Sequence, residues 1–146
     1  MPTSARLLEI VDALPLKEGI RVLEIGCGTG VAAREIVSRI KDVFVLGIDR
    51  SAKAIEQARK NSAAELSSGK LNFIHAAVEE LELSESEQLF DFAFAVRVGA
   101  LDGRHPEIEK EALKRIGRLL KKNGKIFIDG GSPLKELLAK SKREHA

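Results

Sequence analysis

The sequence predicts a doubly wound α/β fold built on a mainly parallel five-stranded sheet. Three observations predict it. Short apolar, β-branched runs alternate with stretches of helical periodicity along the chain, which is the pattern of βαβ units. A glycine-rich turn, Gly26-Cys27-Gly28-Thr29-Gly30, stands directly between the first such run and the helix after it. An acid, Asp49, ends the second run, 19 residues past Gly30. Sheets of this kind bind their ligands beyond the carboxyl ends of the strands.

The elements follow in order. Apolar residues at Leu7, Leu8, Ile10, Val11 and Leu14 give a leading helix one buried face, and Pro15 ends it. The run from Ile20 to Ile25 is the first strand. Helical spacing resumes at Val31, Ala32, Ile36, Val37 and Ile40. The second strand runs from Val43 to Ile48 with Asp49 at its tip. Ser51 suits the N-cap of a helix reaching about Leu66, because its hydroxyl can accept an orphan backbone N–H. The third strand is 71–75, a short helical piece lies near 79–88, and the fourth strand is 90–96. Pro106 fits the first turn of a helix running to about Lys122. Asn123-Gly124 stops it, the fifth strand spans 125–129, and Gly130-Gly131-Ser132-Pro133 opens a last helix. No internal repeat or low-complexity linker divides residues 1–146, so one domain is expected. The fifth strand then forms an exposed edge, which the last helix or a second subunit of a homodimer is expected to cover.

Composition excludes several classes. An apolar fraction of 44% supports a full core, but six Phe with no Trp or Tyr do not furnish a base-stacking surface. From Lys110 onward there are 11 basic residues against four acids, so the excess positive charge sits at the C-terminal end. Solvated helix exteriors explain that more simply than an acidic partner or RNA. Cys27 is the only cysteine, so no intramolecular disulfide is expected. No apolar run reaches the roughly 18 residues of a membrane span, and no signal-peptide pattern is present. A cytoplasmic protein without membrane association is the default expectation. The three His show no metal-ligand spacing with acids or Cys27, and no metal is expected.

The candidate site begins at the glycines. A strand turning sharply into a helix needs positive backbone angles and close approach, both cheap only for glycine. The helix N-terminus offers free N–H groups and a positive dipole end to a negative ligand group. Glu24 lies on the strand just ahead of the turn, where an unneeded charge would be costly to desolvate. Asp49 can accept the hydroxyls of a ribose, or simply cap the helix at Ser51. A dinucleotide fingerprint needs a sixth-position glycine, and Val31 stands there. An NAD enzyme is therefore the weaker reading.

With these features the chain resembles class I, Rossmann-like, S-adenosylmethionine-dependent methyltransferases. The stretch Val22-Leu23-Glu24-Ile25-Gly26-Cys27-Gly28-Thr29-Gly30 resembles their first motif, and Gly47-Ile48-Asp49-Arg50-Ser51 their second. Phe90-Asp91-Phe92-Ala93-Phe94-Ala95 resembles the fourth-strand motif, and residues 118–125 the approach to the fifth strand. The resemblance covers roughly residues 5–131. It implies strand order 3-2-1-4-5 and S-adenosyl-L-methionine as cofactor. Gly26, Cys27, Gly28 and Gly30 would form the loop at its methionine end. Glu24 would support that end, Asp49 hold the ribose, and Arg50 lie along the adenine. The family often has an acid after the third strand, where this chain has Ala77. Backbone groups of Ala77 and Val78, or the Glu79 side chain, would have to serve instead. Family members usually add a C-terminal β-hairpin, and none is expected here.

Methyl transfer asks the protein mainly to position a nucleophile and exclude water. The segment 97–105, after the fourth strand, concentrates the polar groups suited to an acceptor site. His105 is the candidate general base, with Asp102 orienting it or taking the proton itself. Arg97 and Arg104 are candidates for clamping a carboxylate or phosphate. The plainer alternatives are a helix start at His105, a turn at Asp102-Gly103 and two solvated arginines. No Asn/Asp-Pro-Pro-Tyr stretch follows the fourth strand, which argues against DNA as acceptor. A small molecule with an O or N nucleophile is the first expectation, and a protein or RNA acceptor stays open. So does a catalytically inactive cofactor-binding partner subunit.

Overall fold

The computed structural model describes residues 5–82, 88–96, 106–129, 131 and 134–137. Helix α1 spans Ala5–Ala13, β1 Ile20–Ile25, α2 Val31–Arg39 and β2 Val43–Asp49. Helix α3 spans Ala52–Asn61, α4 Ala63–Ser68, β3 Leu71–His75 and β4 Phe90–Ala95. Helix α5 spans Pro106–Leu119, β5 Leu120–Asp129 and β6 Leu134–Leu137. Among the described residues, one sheet joins six strands in the order β3-β2-β1-β4-β5-β6. The first five run parallel, as expected for strands joined by helical crossovers.

Alternation along each strand sorts side chains to two faces. One face carries Leu23, Ile25, Leu46, Ile48, Ala93, Ala95, Ile126 and Ile128, packed with Ala112 and Ile116 of α5. The other carries Val22, Val45, Phe73, Phe92 and Phe94 against Val11, Ala33, Ile36, Ile55 and Ala58 of α1, α2 and α3. With no Trp or Tyr available, phenylalanines fill the second face. Phe92 meets Phe127 edge-on at a centroid distance of 5.7 Å, a favoured arrangement for aromatic pairs.

Four features differ from expectation. The helix expected to run unbroken to Leu66 divides at Ser62, a buried residue whose hydroxyl accepts from Arg34 Nη1 at 3.0 Å. Serine competes with the helix for hydrogen bonds and is a natural break point. Among the described residues, the helical piece after β3 is a 3-10 turn, Val78–Glu80, and residues 83–87 of the expected piece lie outside the described ones. Strand β5 begins at Leu120 rather than Lys125. Its register jumps from Phe90↔Leu120 to Phe92↔Lys125, so the Asn123-Gly124 punctuation is a bulge within the strand. A Cβ at Gly124 would lie 2.7 Å from Leu120 Cβ, so only glycine fits there.

The fourth difference is a sixth strand where a terminal helix was expected. Asp129 pairs with Leu134 and Ile126 with Leu137, antiparallel. A Cβ on Gly131 would lie 2.2 Å from the Leu134 carbonyl oxygen, so the chain reverses too tightly there for any other residue. Residues 134–137 thus form a strand antiparallel to β5 in place of the start of a helix. Strand β6 covers the β5 edge, which removes the reason for expecting a second subunit there. Among the described residues no helix is long and apolar enough to cross a membrane.

Candidate cofactor site

The parallel strands bring the loop after β1, the tip of β2 and the end of β3 to one rim. The glycine loop is anchored to β2, because the N–H groups of Gly26 and Cys27 both donate to the Ile48 carbonyl, at 2.8 and 2.9 Å. Gly26, Gly28 and Gly30 all have positive φ, at 72°, 55° and 87°. Gly28 and Gly30 nevertheless differ in their surroundings. A Cβ on Gly30 would lie 2.8 Å from Phe73 Cζ and 2.9 Å from Arg34 Nη1, whereas one on Gly28 would meet nothing within 4 Å. Gly30 is thus required by packing beneath the loop, and Gly28 faces open space.

Asp49 ties the rim together. Its Oδ2 accepts from the Gly28 N–H and its Oδ1 from the Ser51 N–H, each at 2.9 Å. One oxygen therefore braces the turn before α3 while the other reaches the glycine loop, so capping does not exclude a place in the site. Each oxygen has two acceptor positions, so lone pairs remain for a ligand hydroxyl. Ser51 caps α3 as expected, accepting from the Ala54 N–H at 3.1 Å.

Glu24 lies beneath the loop, 4% exposed. It shares a sheet face with Val22, between Gly47 on β2 and Phe94 on β4. Gly47 leaves room in this row, because a Cβ there would lie 2.8 Å from the Phe73 ring and 3.0 Å from Cys27 Cβ. Glu24 Oε1 is buried without a hydrogen-bond partner among the described residues. Burial first, and then the negative charge of Asp49, push its carboxyl up to about 8, while Arg34 pulls the other way. The buried Cys27 thiol is also pushed upward, by desolvation and then by Glu24 and Asp49. A thiol held protonated is a poor nucleophile, which argues against a nucleophilic Cys27.

Further along the rim, Arg50, His75, Ala76, Ala77 and Glu80 line a cavity of about 440 Å³. Arg50 and Glu79 form an ion pair at its edge, so Glu79 is already engaged. His75 Nε2 donates to the Arg50 carbonyl at 2.8 Å, which makes it part of the wall. A larger cavity of about 740 Å³ lies at the opposite end of the sheet, against Ile20, Asp91 and Phe127. Size alone therefore does not mark the site. Arg97, Asp102, Arg104 and His105 lie outside the described residues. Sequence reasoning missed Arg34 and Phe73, which shape the loop from below. Gly47, in mid-strand, was the available signal for Phe73, since a strand glycine marks a close approach.

Comparison with known proteins agrees with this geometry. A methyltransferase domain family matches residues 16–146. An O-methyltransferase of Pyrenophora dematioidea is 33% identical over 95% of this chain and 51% of its own length. A sterol 24-C-methyltransferase of Aspergillus fumigatus is 33% identical over 79% of this chain and 29% of its own. Among solved structures, an S-adenosylmethionine-dependent methyltransferase from Thiobacillus denitrificans, in complex with S-adenosyl-L-homocysteine, superposes with a TM-score of 0.66 at 26% identity. That match covers 86% of this chain and 48% of the other. The chain thus spans about half the length of the O-methyltransferase and the Thiobacillus protein, and less of the sterol methyltransferase. Its six-stranded order, its glycine loop with Glu24 below and Asp49 beside, and a family match over most of its length place it in the methyltransferase domain family.

Proposed function

We propose that this chain is the cofactor-binding and catalytic domain of an S-adenosylmethionine-dependent methyltransferase that serves an O or N nucleophile of a small-molecule acceptor. The observation that carries the reading is the buried Glu24 carboxyl group beneath an open, glycine-walled turn, with its Oε1 unsatisfied among the described residues. Such a group is costly when ionised unless a cation offsets it. The ammonium of S-adenosylmethionine is such a cation, and the open side of Gly28 is the space a ligand needs. When bound, the cofactor supplies an activated methyl group on a sulfonium.

The chain's own residues would then divide the work. Gly26, Cys27 and Gly28 line the methionine end, and Asp49 accepts ribose hydroxyls while keeping the loop braced through Gly28. Arg50 and the cavity beside His75 and Ala77 take the adenine. The carbonyls of Ala77 and Val78 each accept one bond, from the N–H groups of Glu80 and Leu81, and keep a second lone pair for the adenine. In this reading His105, oriented by Asp102, accepts the acceptor's proton, and Arg97 and Arg104 hold its anionic group. The small-molecule acceptor is favoured by the O-methyltransferase relative and by the polar character of residues 97–105.

Calorimetric titration with S-adenosyl-L-homocysteine tests the cofactor assignment: micromolar binding is expected, and no heat and no thermal shift would refute it. NAD is expected to give neither. Turnover is read as S-adenosylhomocysteine release over a panel of phenols, carboxylates and amines. His105→Gln is expected to lower it by roughly a hundredfold or more, the usual worth of a general base. Unchanged turnover removes His105 from the mechanism.

A further inference from the structure

Arg34 has no part in the sequence motifs, yet it holds the C-terminal half of the glycine loop, at Thr29 and Gly30. Its N–H donates to the Gly30 carbonyl at 3.0 Å, closing the first turn of α2. Its Nη1 donates to the Thr29 carbonyl at 2.8 Å and to Ser62 Oγ at 3.0 Å. The guanidinium also lies against Gly30, where a Cβ would come within 2.9 Å of it. Ser62 is wholly buried at the break between α3 and α4. Helix α3 starts at Ala52, just past Asp49, so Arg34 links the loop to the helix pair that follows the ribose acid.

We infer that Arg34 is the positioning residue of this site: it fixes the loop through Thr29 and Ser62, and its positive charge readies Glu24 for a cationic ligand group. The inference rests on the cofactor reading above. Two charges act on Glu24 from the packed elements. Asp49 on β2 disfavours its ionised form and Arg34 on α2 favours it. Its strand neighbours, Gly47 and Phe94, bring no charge. Among the described residues, Arg34 is thus the cation that opposes both burial and Asp49. Removing it makes Glu24 harder still to ionise, so it has less to offer an ammonium, in a loop that has lost one charge-assisted hydrogen bond.

The test is calorimetric titration of S-adenosyl-L-homocysteine between pH 6 and 9.5, with melting curves alongside. It compares the unaltered chain with Arg34→Gln, Arg34→Lys and Ser62→Ala. Arg34→Gln is expected to weaken binding roughly tenfold or more and to move the pH midpoint of binding upward. Arg34→Lys keeps the charge and is expected to hold the midpoint while losing part of the affinity. Ser62→Ala is expected to weaken binding a few-fold with the midpoint unmoved. A general loss of structure would shift no midpoint. Native affinity and midpoint in Arg34→Gln, or equal midpoint shifts in the Gln and Lys variants, would overturn the inference. If Arg34→Gln does not fold, native affinity in both other variants overturns it. Failure of the unaltered chain to bind refutes the cofactor reading itself, a different result.

Discussion

Glu24→Gln isolates the energetic tension in the site. The Glu24 carboxyl titrates at about 8 in the folded chain against an ordinary 4.5, chiefly because it is buried and then because Asp49 is near. Moving a titration midpoint by one pH unit takes about 1.4 kcal/mol, so ionising Glu24 in the ligand-free fold costs on the order of 5 kcal/mol. The folded value lies above the ordinary one, so folding favours the neutral form. That contribution is complete below about pH 4.5 and is lost as the pH climbs through 8. Glutamine has the same shape and no charge to lose. The difference in unfolding free energy between Glu24→Gln and the unaltered chain is therefore expected to widen from about pH 5 to about 8 and to level off above. In melting temperature the widening is on the order of 10 °C for a domain of this size. Urea denaturation and thermal melts at matched pH measure it. Taking the difference cancels the titrating groups that do not sense Glu24, so a flat difference across the window would refute the assignment.

The same proton has a second consequence. At pH 7 a group titrating at about 8 is roughly nine-tenths protonated. Binding of a ligand ammonium that draws Glu24 into its ionised form is expected to release nearly one proton. Calorimetry in two buffers of different ionisation enthalpy counts it, and zero release would mean that Glu24 does not sense the ligand's charge.

Gly28→Ala is expected to cost about 1–2 kcal/mol of stability, the penalty for a left-handed backbone, yet to weaken S-adenosyl-L-homocysteine binding by roughly tenfold or more. Gly30→Ala adds overpacking against Phe73 and is expected to cost about 2–5 kcal/mol in urea denaturation. Asp49→Ala forfeits two backbone hydrogen bonds, about 2 kcal/mol, and is expected to abolish cofactor binding; native affinity would remove Asp49 from the site. At the far end of the sheet, Asp91 accepts from the Arg21 N–H at 2.8 Å and pairs with Lys121 at 3.0 Å. Asp91→Asn is expected to lose about 1 kcal/mol in urea denaturation while leaving cofactor affinity unchanged.

The parallel core was legible because its signals are local. Apolar periodicity marks each strand and helix, and the glycine turn and Asp49 stand at strand ends where alternation breaks. The segments that depart from expectation are those where one local signal has two structural uses. Gly130-Gly131 opens a helix or turns a hairpin, and only pairing of Asp129 with Leu134 distinguishes the two. Asn123-Gly124 stops a helix or bulges a strand, and the register against β4 makes the choice. Arg34 was illegible for a related reason: an arginine at mid-helix reads as solvated surface until the fold brings buried Ser62 beneath it.

The glycine loop shows how a motif's spacing can be set from two sides at once. Gly30 is fixed from below, where Phe73 and Arg34 leave no room for a side chain, and Gly47 is emptied by the same ring. Gly26 stands where the chain leaves β1, its N–H held by Ile48. Gly28, unlike Gly30, looks outward with nothing against it, and its N–H is held by the acid that would also take the ribose. Helix α2 begins at Val31, immediately after the last glycine. The close glycine approach of a dinucleotide fingerprint one residue later is therefore unavailable. The groups beneath the loop are acidic as well, Glu24 and Asp49, with Arg34 opposing them among the described residues. A diphosphate would meet the Asp49 carboxylate with repulsion and oppose ionisation of Glu24, whereas an amino-acid end offers an ammonium that favours it. Loop spacing and buried charge thus select independently for the same ligand class, and Glu24→Gln and Gly28→Ala perturb them separately.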